Sequence, residues 1–209
     1  MEKTTSNSLS QIEWGVAAKA LPGQTVSGDL HLIKPLPEGV LMAVVDGLGH
    51  GGEATAAART AISTLANHAN EPLISLLHRC HEALLQTRGV VMTLALINLA
   101  EKHVAWLGIG NVEGLIVRAD PIAKPPSEGL LLRAGVIGYQ LPSLQGRIIP
   151  LARRDLLIFV TDGIRSNFAD SIVHGDSSKQ IADRILEKSF KGTDDALVLV
   201  VRYLGRRHE

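Results

Sequence analysis

Residues 41–55 read LMAVVDGLGHGGEAT, an apolar run that ends in a carboxylate, Asp46, and passes through Gly47, Gly49, Gly51 and Gly52 into an alanine-rich helical pattern. The run has the length of a buried strand, so Asp46 falls where that strand meets solvent. The glycines leave the backbone free to fold tightly around something small and charged. Two readings compete. Gly47, Gly49 and Gly52 have the GxGxxG spacing of a dinucleotide-binding turn. That reading needs a second strand closing about 20 residues further on with an acid that binds ribose, and Glu71, near that distance, opens another helical pattern instead. The other reading is a metal site with Asp46 as first ligand, the glycines giving a backbone carbonyl and room for phosphate. It requires more carboxylates at strand ends.

Working outward, residues 12–20 and 28–35 read as strands before the one at 39–46, and residues 50–69 and 72–86 as two consecutive helices. Ala54, Ala57, Ala58, Ala61, Ile62 and Leu65 give the first helix a small-residue face suited to close packing, and Pro72 suits the start of the second. Residues 90–99, 102–109 and 112–119 read as strands of an antiparallel meander. A proline-bearing loop at 119–129, a strand at 130–133 and an irregular stretch to Pro150 follow. The chain closes with a strand at 155–161, a helix at 177–188 and a strand at 196–203. Runs of strands with paired helices give an α+β class: two antiparallel sheets packed face to face with helices outside.

The chain has 209 residues, 45% of them hydrophobic, enough for one domain with a substantial core. Its 21 basic and 21 acidic residues cancel, so no overall charge points to nucleic acid or to an anionic membrane. The basic end, Arg202 to His208, reads as a solvated tail. A single cysteine, Cys80, allows no internal disulfide and suits a reducing cytoplasm. The polar amino terminus lacks the apolar core of a signal peptide, and no apolar run reaches the roughly 20 residues of a bilayer span. A soluble cytoplasmic protein is expected; nothing in the sequence sets its oligomeric state.

The required carboxylates exist. Asp29 follows Ser27-Gly28, Asp162 lies between Thr161 and Gly163, and Asp194-Asp195 precede the last strand. One aspartate beside glycine is an ordinary turn, but several strand-end acids can converge only if the fold collects them. Clustered carboxylates repel unless hard cations neutralise them, and oxygen-only ligands favour magnesium or manganese over zinc.

In that order, SGD at 27–29, VVDGLGHGG at 44–52, TDG at 161–163 and DDA at 194–196 resemble the motifs of the metal-dependent serine/threonine protein phosphatases, the PPM family, over nearly all of residues 12–203. The resemblance implies a single phosphatase domain, a β-sandwich flanked by pairs of helices, and two Mn2+ or Mg2+ ions at one end. Asp46 would bridge the ions, Gly47 would supply a carbonyl, and Asp162 and Asp194 would ligate the other metal. Asp29 would act through metal-bound water, and Asp195, where many relatives have Asn, would be a neighbour, with the reverse register of the Asp194–Asp195 pair as the alternative. Direct hydrolysis of a phosphomonoester follows from such a site. Proton donation to the leaving oxygen falls to His50 or to metal-bound water.

Two departures stand out. Asn111, where many relatives have Asp, argues against a third metal, and the first strand lacks the phosphate-gripping arginine of the animal enzymes. The compact chain is similar to the bacterial branch acting on partner-switching regulators, and within it to the stressosome feedback type. That implies phosphoserine or phosphothreonine on STAS-domain stressosome proteins as substrate. A free anti-anti-sigma protein as substrate, or a non-catalytic phosphoprotein-binding module of the same fold, are the alternatives.

Other features have plainer readings. His78, His81 and Glu82 share a helix face but suit an amphipathic surface. Trp14 and Trp106 fall in strands, where packing is the default role. The loop at 119–129 reads as a connection that could touch a protein substrate.

Overall fold

The computed structural model describes residues 8–205. The first seven residues of the polar amino terminus, and the residues beyond Gly205, lie outside the described residues; Arg202, expected to open a solvated tail, is instead 7% exposed and paired with Glu13 at 2.8 Å. Among the described residues eleven strands form two sheets. In the first, β1 (Ile12–Lys19), β11 (Ala196–Tyr203), β10 (Leu156–Val160), β6 (Glu113–Val117) and β7 (Ser127–Gly129) lie side by side. In the second the order is β2 (Asp29–Leu36), β3 (Gly39–Gly47), β4 (Val90–Asn98), β5 (His103–Ile109) and β8 (Leu132–Arg133), with β9 (Arg147–Pro150) also paired to β5.

Each central strand is buried on both faces, which is why β3 reads as an uninterrupted apolar run. Val40, Met42 and Val44 face the core between the sheets, where Trp106 meets Phe159 edge-on. Leu41, Ala43 and Val45 face α1 (Gly52–Asn67) and α2 (Leu73–Leu84). On the far side, Val198 and Val200 of β11 pack against α3 (Ser178–Ser189), whose start is fixed by a Ser177–Gln180 capping box. The molecule is thus four layers deep, with a helix pair over one sheet and a single helix with a short 3-10 turn (Phe168–Ser171) over the other.

The small-residue face of α1 lets that helix press on the end of β3: a Cβ at Gly47 would lie 2.1 Å from the Ala54 carbonyl oxygen. Trp14 is 45% exposed on the sheet surface beside His31, whereas Trp106 is fully buried. Cys80 is buried under α1, and its thiol is pushed up to about 12 by burial. No helix among the described residues is long and apolar enough to cross a membrane.

The expected meander is corrected at its third strand. β4 and β5 form a hairpin, but β6 leaves that sheet and pairs with β10 in the other. The crossing is made at Gly110, in the left-handed region at φ 90° and packed where a Cβ would strike Val91. The loop at 119–129 contains β7 at its end, which extends the sheet beyond β6. The strand at 130–133 shortens to β8, which pairs parallel to β5, and the irregular stretch hides β9.

Candidate metal centre

The two sheets present their acids at one end of the sandwich. Asp29 opens β2 directly opposite Asp46 at the end of β3. Asp162 follows β10, and Asp194 and Asp195 precede β11. Asp46, Asp162 and Asp194 line one cleft of about 440 Å³, together with Leu48, Gly49, Val91, Asn111 and Gly135.

The remaining acids face inward and are held by the chain. Asp29 is 4% exposed and accepts a hydrogen bond from the Thr161 hydroxyl at 2.7 Å. That hydroxyl accepts the Leu197 N–H at 2.8 Å. Asp195, equally buried, uses one oxygen for the Leu21 N–H at 2.7 Å and the other for the Gly28 N–H at 2.6 Å. Its carboxylate is consumed in tying the loop before β2 to the start of β11, while Asp194 lines the cleft. Gly47 is not among the cleft-lining residues, and His50 is exposed and also outside the lining.

Electrostatics mark the same group. Asp46 is pushed up to about 8, first by burial and then by the charges of Asp29, Asp162, Asp194 and Asp195. Asp29 is pushed up to about 7 by burial, opposed by the Thr161 hydrogen bond and reinforced by its acidic neighbours. Asp162 is raised by burial and Asp194, against which Lys191 works. Carboxylates that raise one another's pKa in this way are what a divalent cation neutralises. Among the described residues no three His, Cys, Asp or Glu close around a point. Oxygen donors spaced around a cleft suit a hard cation that keeps several waters, as Mg2+ does, better than a tight all-protein cage. The donor chemistry therefore suits a hard divalent cation.

Several contacts here had no signal in the sequence. Asn111 Nδ2 donates to Asp162 Oδ2 at 2.7 Å, and Lys191 Nζ donates to the Asp162 carbonyl at 2.5 Å. Thr161 could have been suspected from its place beside Asp162; Asn111 stands out in the sequence only as a departure from the family motif, and its contact with Asp162, like that of Lys191, is made by the sheet crossing and the turn after α3. On α2, His81 Nδ1 accepts the Gly138 N–H at 3.1 Å, and His78 is exposed, so that cluster is surface and loop support.

Comparison with known proteins agrees with this fold. The family Stage II sporulation protein E (SpoIIE) matches residues 37–204. The chain belongs to that family, within the PPM-type phosphatases. It is 28% identical over 94 residues to the phosphoserine phosphatase RsbX of Bacillus subtilis (strain 168), a match covering 45% of this chain and 47% of that one. The match thus spans about half of that relative's length. A solved structure described under the bacterial stressosome, as a modular system adapted to control secondary messenger signalling, is similar at a TM-score of 0.82 and 28% identity, covering 91% of this chain and 99% of that chain. RsbX in complex with magnesium superposes at a TM-score of 0.81 with 21% identity, over 91% and 94% of the two chains, a likeness of fold.

Proposed function

We propose that this member of the SpoIIE family is a Mn2+- or Mg2+-dependent phosphoprotein phosphatase that removes phosphate from serine or threonine of STAS-domain stressosome regulators in the bacterial cytoplasm, resetting a stress signal. The observation that carries the reading is that Asp46, Asp162 and Asp194, from three distant segments, line one cleft. The likeness to a phosphoserine phosphatase and to a stressosome structure supports the substrate.

What two divalent cations supply when bound is an activated water for in-line attack and neutralisation of charge on the phosphate oxygens. The chain's part is to hold and orient. Asp46 would serve both ions, the Gly47 carbonyl one of them, and Asp162 and Asp194 the other. The Asn111 amide takes one Asp162 oxygen, which fixes the carboxylate's rotation and leaves its other oxygen for the ion. Asn111 is a donor here, so a third ion has no carboxylate at that position. Thr161 and Asp29 brace the floor of the site. His50 is exposed and outside the cleft lining; in this reading water at the site, in place of His50, protonates the leaving oxygen.

The test of the substrate is phosphate release from a phosphorylated stressosome STAS protein against a phosphorylated free anti-anti-sigma protein. A preference of about tenfold or more in kcat/KM for the first, about 1.4 kcal/mol in transition-state binding, is expected. Equal rates or the reverse preference would remove the stressosome assignment and leave the phosphatase.

A further inference from the structure

A phosphomonoester carries two negative charges, and the cleft it must enter is lined by three carboxylates and by no lysine or arginine. Cations around the rim are mostly engaged. Lys191 donates to the Asp162 carbonyl, and Arg133, beside the cleft-lining Ala134, donates to Gln145 at 2.7 Å. Arg88 differs. It precedes β4 on a segment tied to the cleft loop by the Leu48 N–H, which donates to the Gly89 carbonyl at 3.2 Å. The guanidinium lies against Gly49 of the cleft wall, where a Cβ would stand 2.8 Å from Nη1. Glu53, in the first turn of α1, holds the inner nitrogen Nε at 2.5 Å. Among the described residues neither terminal nitrogen has a protein acceptor, and the side chain is 55% exposed.

We infer that Arg88, oriented by Glu53 over the space left by the missing side chain of Gly49, is the substrate-binding residue that takes the phosphate group at the mouth of the acidic cleft. The proposal rests on the phosphomonoester reading above. The physical logic is a division of the fork: the Glu53 carboxylate pairs with the guanidinium closest to Nε and so aims the side chain, and the two Nη groups remain as paired donors for phosphate oxygens. Glycine at position 49 is what allows the guanidinium to lie this close to the cleft. A lysine at 88 would keep the charge but lose the fork, since one ammonium cannot serve Glu53 and two phosphate oxygens in the same geometry.

The test uses the full chain with saturating Mn2+, p-nitrophenyl phosphate as a substrate without protein contacts, and inorganic phosphate as a competing ligand. Arg88→Ala is expected to raise both the KM and the inhibition constant of inorganic phosphate by about tenfold or more, the loss typical of charge-assisted hydrogen bonds, with an unchanged thermal midpoint. Arg88→Lys should recover part of both. A folded Arg88→Ala protein with both constants within about twofold of the parent would overturn the assignment. Should Arg88→Ala fail to fold, Arg88→Gln, which keeps length and loses charge, is read the same way. If the parent chain turns over no substrate, the phosphatase reading fails separately. Calorimetric binding of inorganic phosphate to the Mn2+-loaded parent and to Arg88→Ala then decides: weaker binding by the variant supports the role of Arg88, and equal binding refutes it.

Discussion

The Thr161 hydroxyl donates to Asp29 at 2.7 Å and thereby joins the two sheets at the end where the acids gather. Asp29 belongs to the six-stranded sheet, Thr161 follows β10 of the five-stranded one, and the same hydroxyl accepts the Leu197 N–H. One side chain thus satisfies a buried carboxylate and a buried amide together.

Thr161→Val keeps the shape and removes both hydrogen bonds, so it is expected to cost about 2 kcal/mol or more in urea unfolding of the metal-free protein. Thr161→Ser, which keeps the hydroxyl, should lose less than half as much. Equal losses would mean that the methyl packing of Thr161, and not its hydroxyl, matters.

The adjacent acids Asp194 and Asp195 should separate cleanly. Asp195→Ala strands the Leu21 and Gly28 amides and is expected to destabilise the fold by about 2–3 kcal/mol. Asp194→Ala removes a charge from the repelling set but also the acceptor of the Asp195 N–H at 2.8 Å, so the two effects offset and stability should change by less than about 1 kcal/mol, while metal-dependent turnover falls by at least about a hundredfold. Denaturant titrations beside phosphate-release rates read both.

That pair also shows what the sequence can carry. The DDA motif at 194–196 marked the place, and the resemblance favoured Asp194, because an acid before a strand is visible as a pattern. Which carboxylate turns inward depends on where the Leu21–Gly28 loop lies, a contact across more than 160 positions that no local spacing encodes. The strands other than β7 and β9, the three long helices and the four acidic motifs were legible for the same reason: each is a short-range periodicity or a glycine-flanked turn. The crossing at Gly110 was not, since a tight turn between two strands reads as a hairpin whether or not the second strand stays in the sheet. Arg88 was equally hidden, because its meaning comes from Glu53 and Gly49, which sit on another element.

The metal-free protein should lose stability as pH rises. Asp29 and Asp46 titrate near 7 and 8 when folded and near the ordinary value of about 4 when unfolded. Below about pH 4 both states hold these protons and nothing is lost. Above it the unfolded chain releases them first, so the folded state is progressively disfavoured until about pH 8. Thermal midpoints in chelator should therefore fall more steeply between about pH 5 and pH 8 in the parent than in Asp46→Asn. Saturating Mg2+ should offset the fall in the parent by binding the folded form. Parallel slopes for parent and variant would contradict the assignment of the acidic strain to Asp46.

Gly47 has a packing role independent of any ion. Gly47→Ala places a methyl group against the Ala54 carbonyl and is expected to cost about 1–3 kcal/mol through displacement of α1, measured by chemical denaturation in chelator. An unchanged midpoint would show that α1 yields freely.

The central claim is that the acids at the end of the sandwich form a cation-dependent phosphatase centre. The most direct measurement is release of inorganic phosphate from p-nitrophenyl phosphate by the parent chain, Asp46→Asn and Asp162→Asn, each in Mn2+, in Mg2+ and in chelator. Release in Mn2+ or Mg2+ that chelator abolishes and that both variants lose while remaining folded is the expected result. No release by folded parent protein with either cation, or release that survives chelator and both substitutions, would contradict it.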